Sequence, residues 1–358
     1  MFSLEMLPAR QGDCLWLEYG DPASPCRVLI DGGTASTQRV LKERLLELPA
    51  EQRGFELMVV THVDADHAQG VLGLIRDPEV RLNVGDFWFN GSHQVQPYRP
   101  SALQPIPNDL LTQELRKAGL PLNRQWSGEA IVVPPEGALP VAELPGGLKL
   151  TVLSPGHREL ENLGPTWADD VEKAGLAPDG ETPPEPPLLQ PIPDDLEPMG
   201  PVYDVHALAE RPFEEDSSRA NRSSVVLLGE FEGHRVLLAG DAPATLLEAG
   251  IARLDQDGPL ALDAFKLPHH GSAHHVSQEL LQRISCKRFL VSTNGERFQH
   301  PDAVALARVV KWGGDALQLF FNYRSRHTAP WEDPRLTAEH CYTVEYPGEG
   351  EEGLKIEL

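Results

Sequence analysis

Residues 61–70 read THVDADHAQG and place four metal-binding side chains, His62, Asp64, Asp66 and His67, within six positions. They follow the apolar run 56–61, ELMVVT, which reads as a buried strand. A strand holds the base of such a loop rigid while alternate positions bend towards one point. Imidazole nitrogen with carboxylate oxygen suits Zn²⁺, Mn²⁺ or Fe²⁺, and the lack of thiolate argues against a purely structural zinc. The competing reading is an acidic helix N-terminus with incidental histidines. Other segments weaken it. Asp241 ends the apolar run RVLLAGD, where an unpaired carboxylate is costly unless it meets a cation or donors. His269 and His270 follow DAFKLP, and a double histidine at a strand end has no packing rationale. His157 follows the strand-like LKLTVL in a less distinctive setting. About six or seven such ligands would hold two divalent metal ions, zinc or manganese, sharing a hydroxide of lowered pKa.

Around this set stand further candidates. Asp66 is expected to be required for turnover as well as for metal binding. Asn221 and Ser223 precede an apolar strand and would hydrogen-bond a substrate oxyanion; ordinary turn chemistry is the alternative. His300, before a helix, would donate a proton to a leaving group or bind phosphate, against a helix-capping or surface role. Asp31 is read as a support for the metal loop rather than a ligand. Lys266 is read as buried near the site or snorkelling, with a phosphate contact open to it. His93, His274, His275 and His327 show no partner pattern.

Two similar halves position these residues. Residues 2–7 and 14–19 alternate as a hairpin across Gln11-Gly12-Asp13, and 28–30 is a third strand closed by Asp31-Gly32-Gly33. Helical periodicity covers 38–48, an apolar helix start lies at 71–75, and 83–90 is a strand. After a helix at 109–119 and a strand at 148–153, a second hairpin spans 223–228 and 235–239. Then come a helix at 244–254, a strand at 261–267, a helix at 276–284, a strand at 288–293 and a helix at 302–311. Hairpins followed by β-α-β units predict an α/β protein of two sheets covered by helices. Residues 165–212 are rich in Pro, Asp and Glu around PPEPPLLQPIP, a composition that favours extended segments. Residues 160–218 are therefore expected to be an inserted loop, either a passive excursion or a lid or docking surface, within a single domain of residues 1–358.

THVDADH resembles the HxHxDH signature of the metallo-β-lactamase superfamily, with Asp64 in the second histidine position. Gln11-Gly12-Asp13 resembles its GQGD turn and Asp31-Gly32-Gly33 its DGG loop. Asn221-x-Ser223-Ser224, Gly240-Asp241, KLPHHGS at 266–272 and His300-Pro301 follow in the expected order. The combination is similar to the branch containing the hydrolase domain of the DNA-internalisation competence protein and the choline-phosphate esterase of teichoic acid. The resemblance implies an αββα sandwich. It also implies that His62 and Asp64 hold one metal, Asp66 and His67 the other, and that Asp241 bridges. One of His269 and His270 completes the set, its neighbour lying alongside or touching substrate. His157 matches the superfamily's third ligand histidine, which this branch often lacks; the alternative is an exposed loop histidine. Asp64 in place of histidine makes its site harder and more anionic, favouring Mn²⁺ or Mg²⁺ relative to zinc.

Composition narrows the function. The 358-residue chain is 41% hydrophobic and 24% charged, with a formal net charge of −23. That charge opposes unaided binding to a polyanion. Four scattered cysteines without CxxC spacing suit a reducing cytoplasm. The N-terminus lacks a signal-peptide pattern, and no run reaches the roughly 18–20 apolar residues of a membrane span, so no membrane association is expected. The leading expectation is a phosphoesterase or phosphodiesterase acting on a small phosphoester or a nucleic acid, with nuclease action favoured. The alternatives are a lactone, amide or thioester hydrolase, and a catalytically vestigial module that binds a protein partner through 165–212.

Overall fold

The computed structural model describes residues 1–99, 105–178, 180 and 203–358. Sixteen strands occur among them: Phe2–Met6 (β1), Leu15–Tyr19 (β2), Cys26–Ile30 (β3), Gly54–Val59 (β4), Asn83–Trp88 (β5), Val141–Glu143 (β6), Lys149–Ser154 (β7), Val226–Phe231 (β8), His234–Leu238 (β9), Leu260–Leu262 (β10), Ala264–Lys266 (β11), Ile284–Cys286 (β12), Arg288–Val291 (β13), Gln318–Phe321 (β14), Thr343–Glu345 (β15) and Leu354–Glu357 (β16). One sheet has the order β16-β1-β2-β3-β4-β5 and the other β15-β14-β13-β11-β9-β8-β7-β6. Each begins with antiparallel hairpins and continues through parallel strands. The two-half pattern of the sequence is this repeated plan.

Side-chain alternation makes the layers. Leu15 and Leu17 on β2, with Val28 and Ile30 on β3, face Leu150, Val152, Leu227 and Leu238 of the opposite sheet in one buried cluster. Trp16 and Leu29, one residue out of phase, pack instead with Leu41, Val71, Leu72 and Leu111 from helices over the first sheet. Leu228, Leu237 and Phe289 likewise meet Leu247, Leu306 and Val309 outside the second sheet. The result is an αββα sandwich, the fold class expected from the sequence.

Three local differences bear on the site. The run 261–267 is two strands: β10 pairs with β12 in a small sheet of its own, while β11 joins the large one. Asp263, between them, takes the Arg235 amide at 2.7 Å and marks the break. The expected inserted loop 160–218 falls partly outside the described residues, including all of 181–202. Its described flanks are not bare loop. Leu163, Trp167, Val171 and Leu176 complete the core outside the first sheet, and Val205 and Ala209 the core outside the second. Apolar side chains at these spacings outweigh the surrounding acidic composition. No helix among the described residues is long and apolar enough to cross a membrane.

Candidate metal centre

The register of the parallel strands converges on one edge. Ile30 pairs with Val59, and Lys266 pairs with both Leu238 and Leu290. The segments that follow, at Asp31, His62–His67, Asp241, His269–His270 and Ser292, therefore leave the two sheets side by side. This is the carboxyl edge of the parallel strands, where α/β proteins gather ligands. Asp64 ends the loop as the N-cap of the helix Ala65–Arg76, and Asp66 lies in its first turn. His269 and His270 both adopt left-handed backbone, with φ of 46° and 56°. Two successive non-glycine residues in this region store strain that the surroundings must hold in place.

Three histidines share one design. His67 Nδ1 donates to Asp31 Oδ2 at 2.8 Å, and the same carboxylate takes the Thr61 amide and hydroxyl. That hydroxyl, having donated to Asp31, accepts from His62 Nδ1 at 3.1 Å. His270 Nδ1 lies 3.0 Å from the Ser292 carbonyl and 3.2 Å from Asp13 Oδ1. With each Nδ1 committed, Nε2 is the nitrogen left to offer a lone pair once the ring is neutral. His62 Nε2, His67 Nε2, His270 Nε2 and Asp241 Oδ1 are buried without a hydrogen-bond partner among the described residues. Around Asp241 Oδ2 the Nε2 atoms of His62, His67, His269 and His270 lie at 3.7, 3.3, 3.7 and 3.9 Å. His62 Nε2 also stands 3.5 Å from Asp64 Oδ2, and His270 Nε2 3.7 Å from Asp66 Oδ2. Ligands bonded at about 2.0–2.2 Å to a tetrahedral cation sit roughly 3.3–3.6 Å apart. The spacing and the bare nitrogens both fit a divalent metal.

The charges follow the geometry. Burial would raise the Asp241 pKa, but His67, His269 and His270 hold it well below the carboxylate range. Burial would lower His67, yet Asp241 and Asp31 push it well up. Asp66, where burial dominates, is raised, and His269 is pushed down to about 3, chiefly by burial.

Several candidates occupy other positions. His157 is exposed at the start of the helix His157–Leu163, its ring against Tyr98, and does not join the cluster. The side chain is solvent-exposed at this helix start. Ser223 Oγ donates to the Ala220 carbonyl at 2.6 Å, closing a helical turn instead of facing an oxyanion. Asn221 Nδ2 donates to Asp216 at 2.8 Å and is likewise committed. Lys266 neither snorkels nor reaches for phosphate: fully buried, its Nζ donates to Asp13 Oδ2 at 2.6 Å. Burial opposes ionisation of Asp13, but Lys266 and His270 hold its pKa far below the usual range. His300 stands at the rim, its ring 5.2 Å from His269 and its Nδ1 3.4 Å from Asp302. Phe298 lies beside it, 43% exposed.

Sequence reasoning missed Asp13, Asp216 and His275. His275 is fully buried, with Nδ1 3.2 Å from His269 Nδ1 and Nε2 3.4 Å from Asp216. Asp13 carried a signal in its turn motif; His275 and Asp216 carried none.

No family model and no curated protein matches the chain. It is similar to solved structures. CmlA, a diiron β-hydroxylase from Streptomyces venezuelae, aligns with 99% of this chain at 14% identity and a TM-score of 0.44. The chain spans about half of that protein, 54%. Zn²⁺-bound PqqB from Methylobacterium extorquens aligns over 100% of both chains at 12% identity and a TM-score of 0.43. A long form RNase Z from yeast aligns with 82% of this chain and 37% of its own length, at 10% identity and a TM-score of 0.35.

Proposed function

We propose that the protein is a metal-dependent hydrolase of phosphate esters or phosphodiesters, in which Asp241 and the histidines around it would hold two divalent cations. One observation carries this reading: His62, His67 and His270 each have Nδ1 engaged and a bare Nε2 within 3.3–3.9 Å of Asp241 Oδ2. His62 and Asp64 would hold one cation; Asp66 and His67, with His269 or His270, the other. Bound cations supply a hydroxide nucleophile at neutral pH and neutralise charge developing on phosphoryl oxygens.

The chain's own residues do the rest. Asp31, Thr61 and the Ser292 carbonyl fix the tautomers of the ligand histidines, which lowers the cost of ordering them. His300, its ring 5.2 Å from that of His269, would be the proton donor to the leaving group. Phe298 packs against the rings of His269 and His300, and the Arg297 guanidinium lies 5.1 Å from the Phe298 ring. The ordered motifs resembling the competence-protein and choline-phosphate-esterase branch favour phosphoesters over carboxylic substrates. The net charge of −23 favours a small phosphoester, or a nucleic acid presented by a protein partner, over unaided polynucleotide capture. Residues 165–212 are the segment for such a partner.

The test is hydrolysis of bis-p-nitrophenyl phosphate, a nitrophenyl ester and a chromogenic β-lactam by protein loaded separately with Mn²⁺ and Zn²⁺. Turnover confined to the phosphodiester, and lost in Asp241→Ala, supports the reading. Turnover of the ester or lactam alone overturns the substrate class, and protein that takes up no metal overturns the centre.

A further inference from the structure

The second histidine of the pair at 269–270 is anchored by a backbone carbonyl. The first is anchored by a chain of side chains. Asp216 Oδ1 takes the Ser218 amide at 3.2 Å, and Oδ2 takes the Asn221 amide at 2.8 Å and faces His275 Nε2 at 3.4 Å. Burial opposes its charge, but His275 and the Ser218 amide keep the Asp216 pKa well below the usual range. It is therefore a carboxylate that only accepts. His275 Nε2, 3.4 Å from that carboxylate and with no closer partner among the described residues, is placed to hold a proton towards it, which would leave Nδ1 as an acceptor. That acceptor, 3.2 Å from His269 Nδ1, would take the His269 Nδ1 proton. His269 Nε2 is then a bare donor atom, 3.7 Å from Asp241 Oδ2. The logic is that of the Asp31–His67 pair, lengthened by one imidazole.

We propose that Asp216 and His275 are positioning residues that hold His269 as the Nδ1-protonated tautomer, so that its Nε2 binds a divalent cation on the Asp241 side of the centre. Asn221, expected to meet an oxyanion, instead steadies Asp216. The inference rests on the metal centre proposed above. It adds that His269 as well as His270 is a ligand, and that the segment just after residue 212 supports it.

The experiment is titration of metal-stripped full-length protein with Co²⁺, read by the visible spectrum and by competition with a chelator. His275→Leu should weaken one of the two sites about 10- to 100-fold and change the Co²⁺ absorption of that site. His275→Gln, whose carbonyl oxygen accepts from His269 Nδ1, should restore most of both. Asp216→Ala, at a half-buried position, should weaken the same site, which keeps the test decisive if His275→Leu does not fold. In a His269→Ala background, His275→Leu and Asp216→Ala should add nothing further. Equal behaviour of the Leu and Gln variants, or unchanged binding in Asp216→Ala, overturns the inference. Wild-type protein that binds no Co²⁺ overturns the centre itself, a separate outcome.

Discussion

Asp31→Asn offers a demanding test because the replacement changes almost no volume. The Asp31 carboxylate accepts three hydrogen bonds: Oδ1 from the Thr61 amide at 2.7 Å, and Oδ2 from the Thr61 hydroxyl and His67 Nδ1, each at 2.8 Å. In the variant, the carbonyl oxygen keeps the Thr61 amide and an NH₂ group replaces Oδ2. His67 Nδ1 must then accept, which moves its proton to Nε2, the atom 3.3 Å from Asp241. That N–H points where a cation would sit. Loss of such a supporting carboxylate costs about 10- to 100-fold in metal affinity, or about 1.4–2.7 kcal/mol at 1.36 kcal/mol per decade. If the amide flips instead, its NH₂ faces the buried Thr61 amide, and stability falls by about 1–3 kcal/mol. Chelator competition measures the first quantity and urea unfolding of the metal-free protein the second. A variant with wild-type values in both measurements would refute the tautomer argument.

Lys266→Met should destabilise the protein by about 3 kcal/mol or more, because it strips a fully buried Asp13 carboxylate of its countercharge; denaturant midpoints check this. His157→Ala should leave metal stoichiometry and turnover within about twofold of wild type, since the side chain is exposed outside the cluster; elemental analysis and steady-state rates decide it. The metal-free protein should lose stability as pH rises above neutrality. His67 has a folded pKa raised above its ordinary 6.5, so its contribution is complete below 6.5 and vanishes as pH climbs through the raised value. Asp241, depressed below 3.8, contributes above 3.8 and loses its effect only as pH falls through the lower value. Cations compete with the His67 proton, so metal affinity should rise over the same alkaline range. Unfolding curves from about pH 6 to 9, with and without chelator, report both effects.

Much of this was readable before any coordinates. The alternation of β1, β2, β8 and β9 marks hairpins, and the apolar runs ahead of His62, Asp241 and His269 mark strand ends, because burial imposes period two and function sits where strands stop. Partners brought together only by tertiary contact were not readable. Asp216 meets His275 only through tertiary contact, and nothing local to either residue announces it. Ser223 and Asn221 looked like anion donors from their setting, yet a helical turn takes the Ser223 hydroxyl proton and a carboxylate takes one of the Asn221 amide protons. Trp167 and Val171 sit in a stretch whose average composition argues for solvent, although their own side chains pack in the core. Composition averages over a segment; burial acts residue by residue.

The turn between β1 and β2 has a consequence for assembly. Asp13 reaches Lys266, 253 positions on, and His270, 257 positions on, while the Gly12 carbonyl takes the Ser292 hydroxyl 280 positions away. A Cβ on Gly12 would overlap the Asp66 carbonyl, so the two tips lie in direct contact. The cluster draws on both halves of the polypeptide, and closure waits for slow, long-range pairings between them. A captured cation would therefore act as a late rivet: at a hundredfold excess over its dissociation constant it would add about 2.7 kcal/mol to the native state alone. Starvation for metal would first be felt as a loosening of the seam between the halves, before either half begins to unravel.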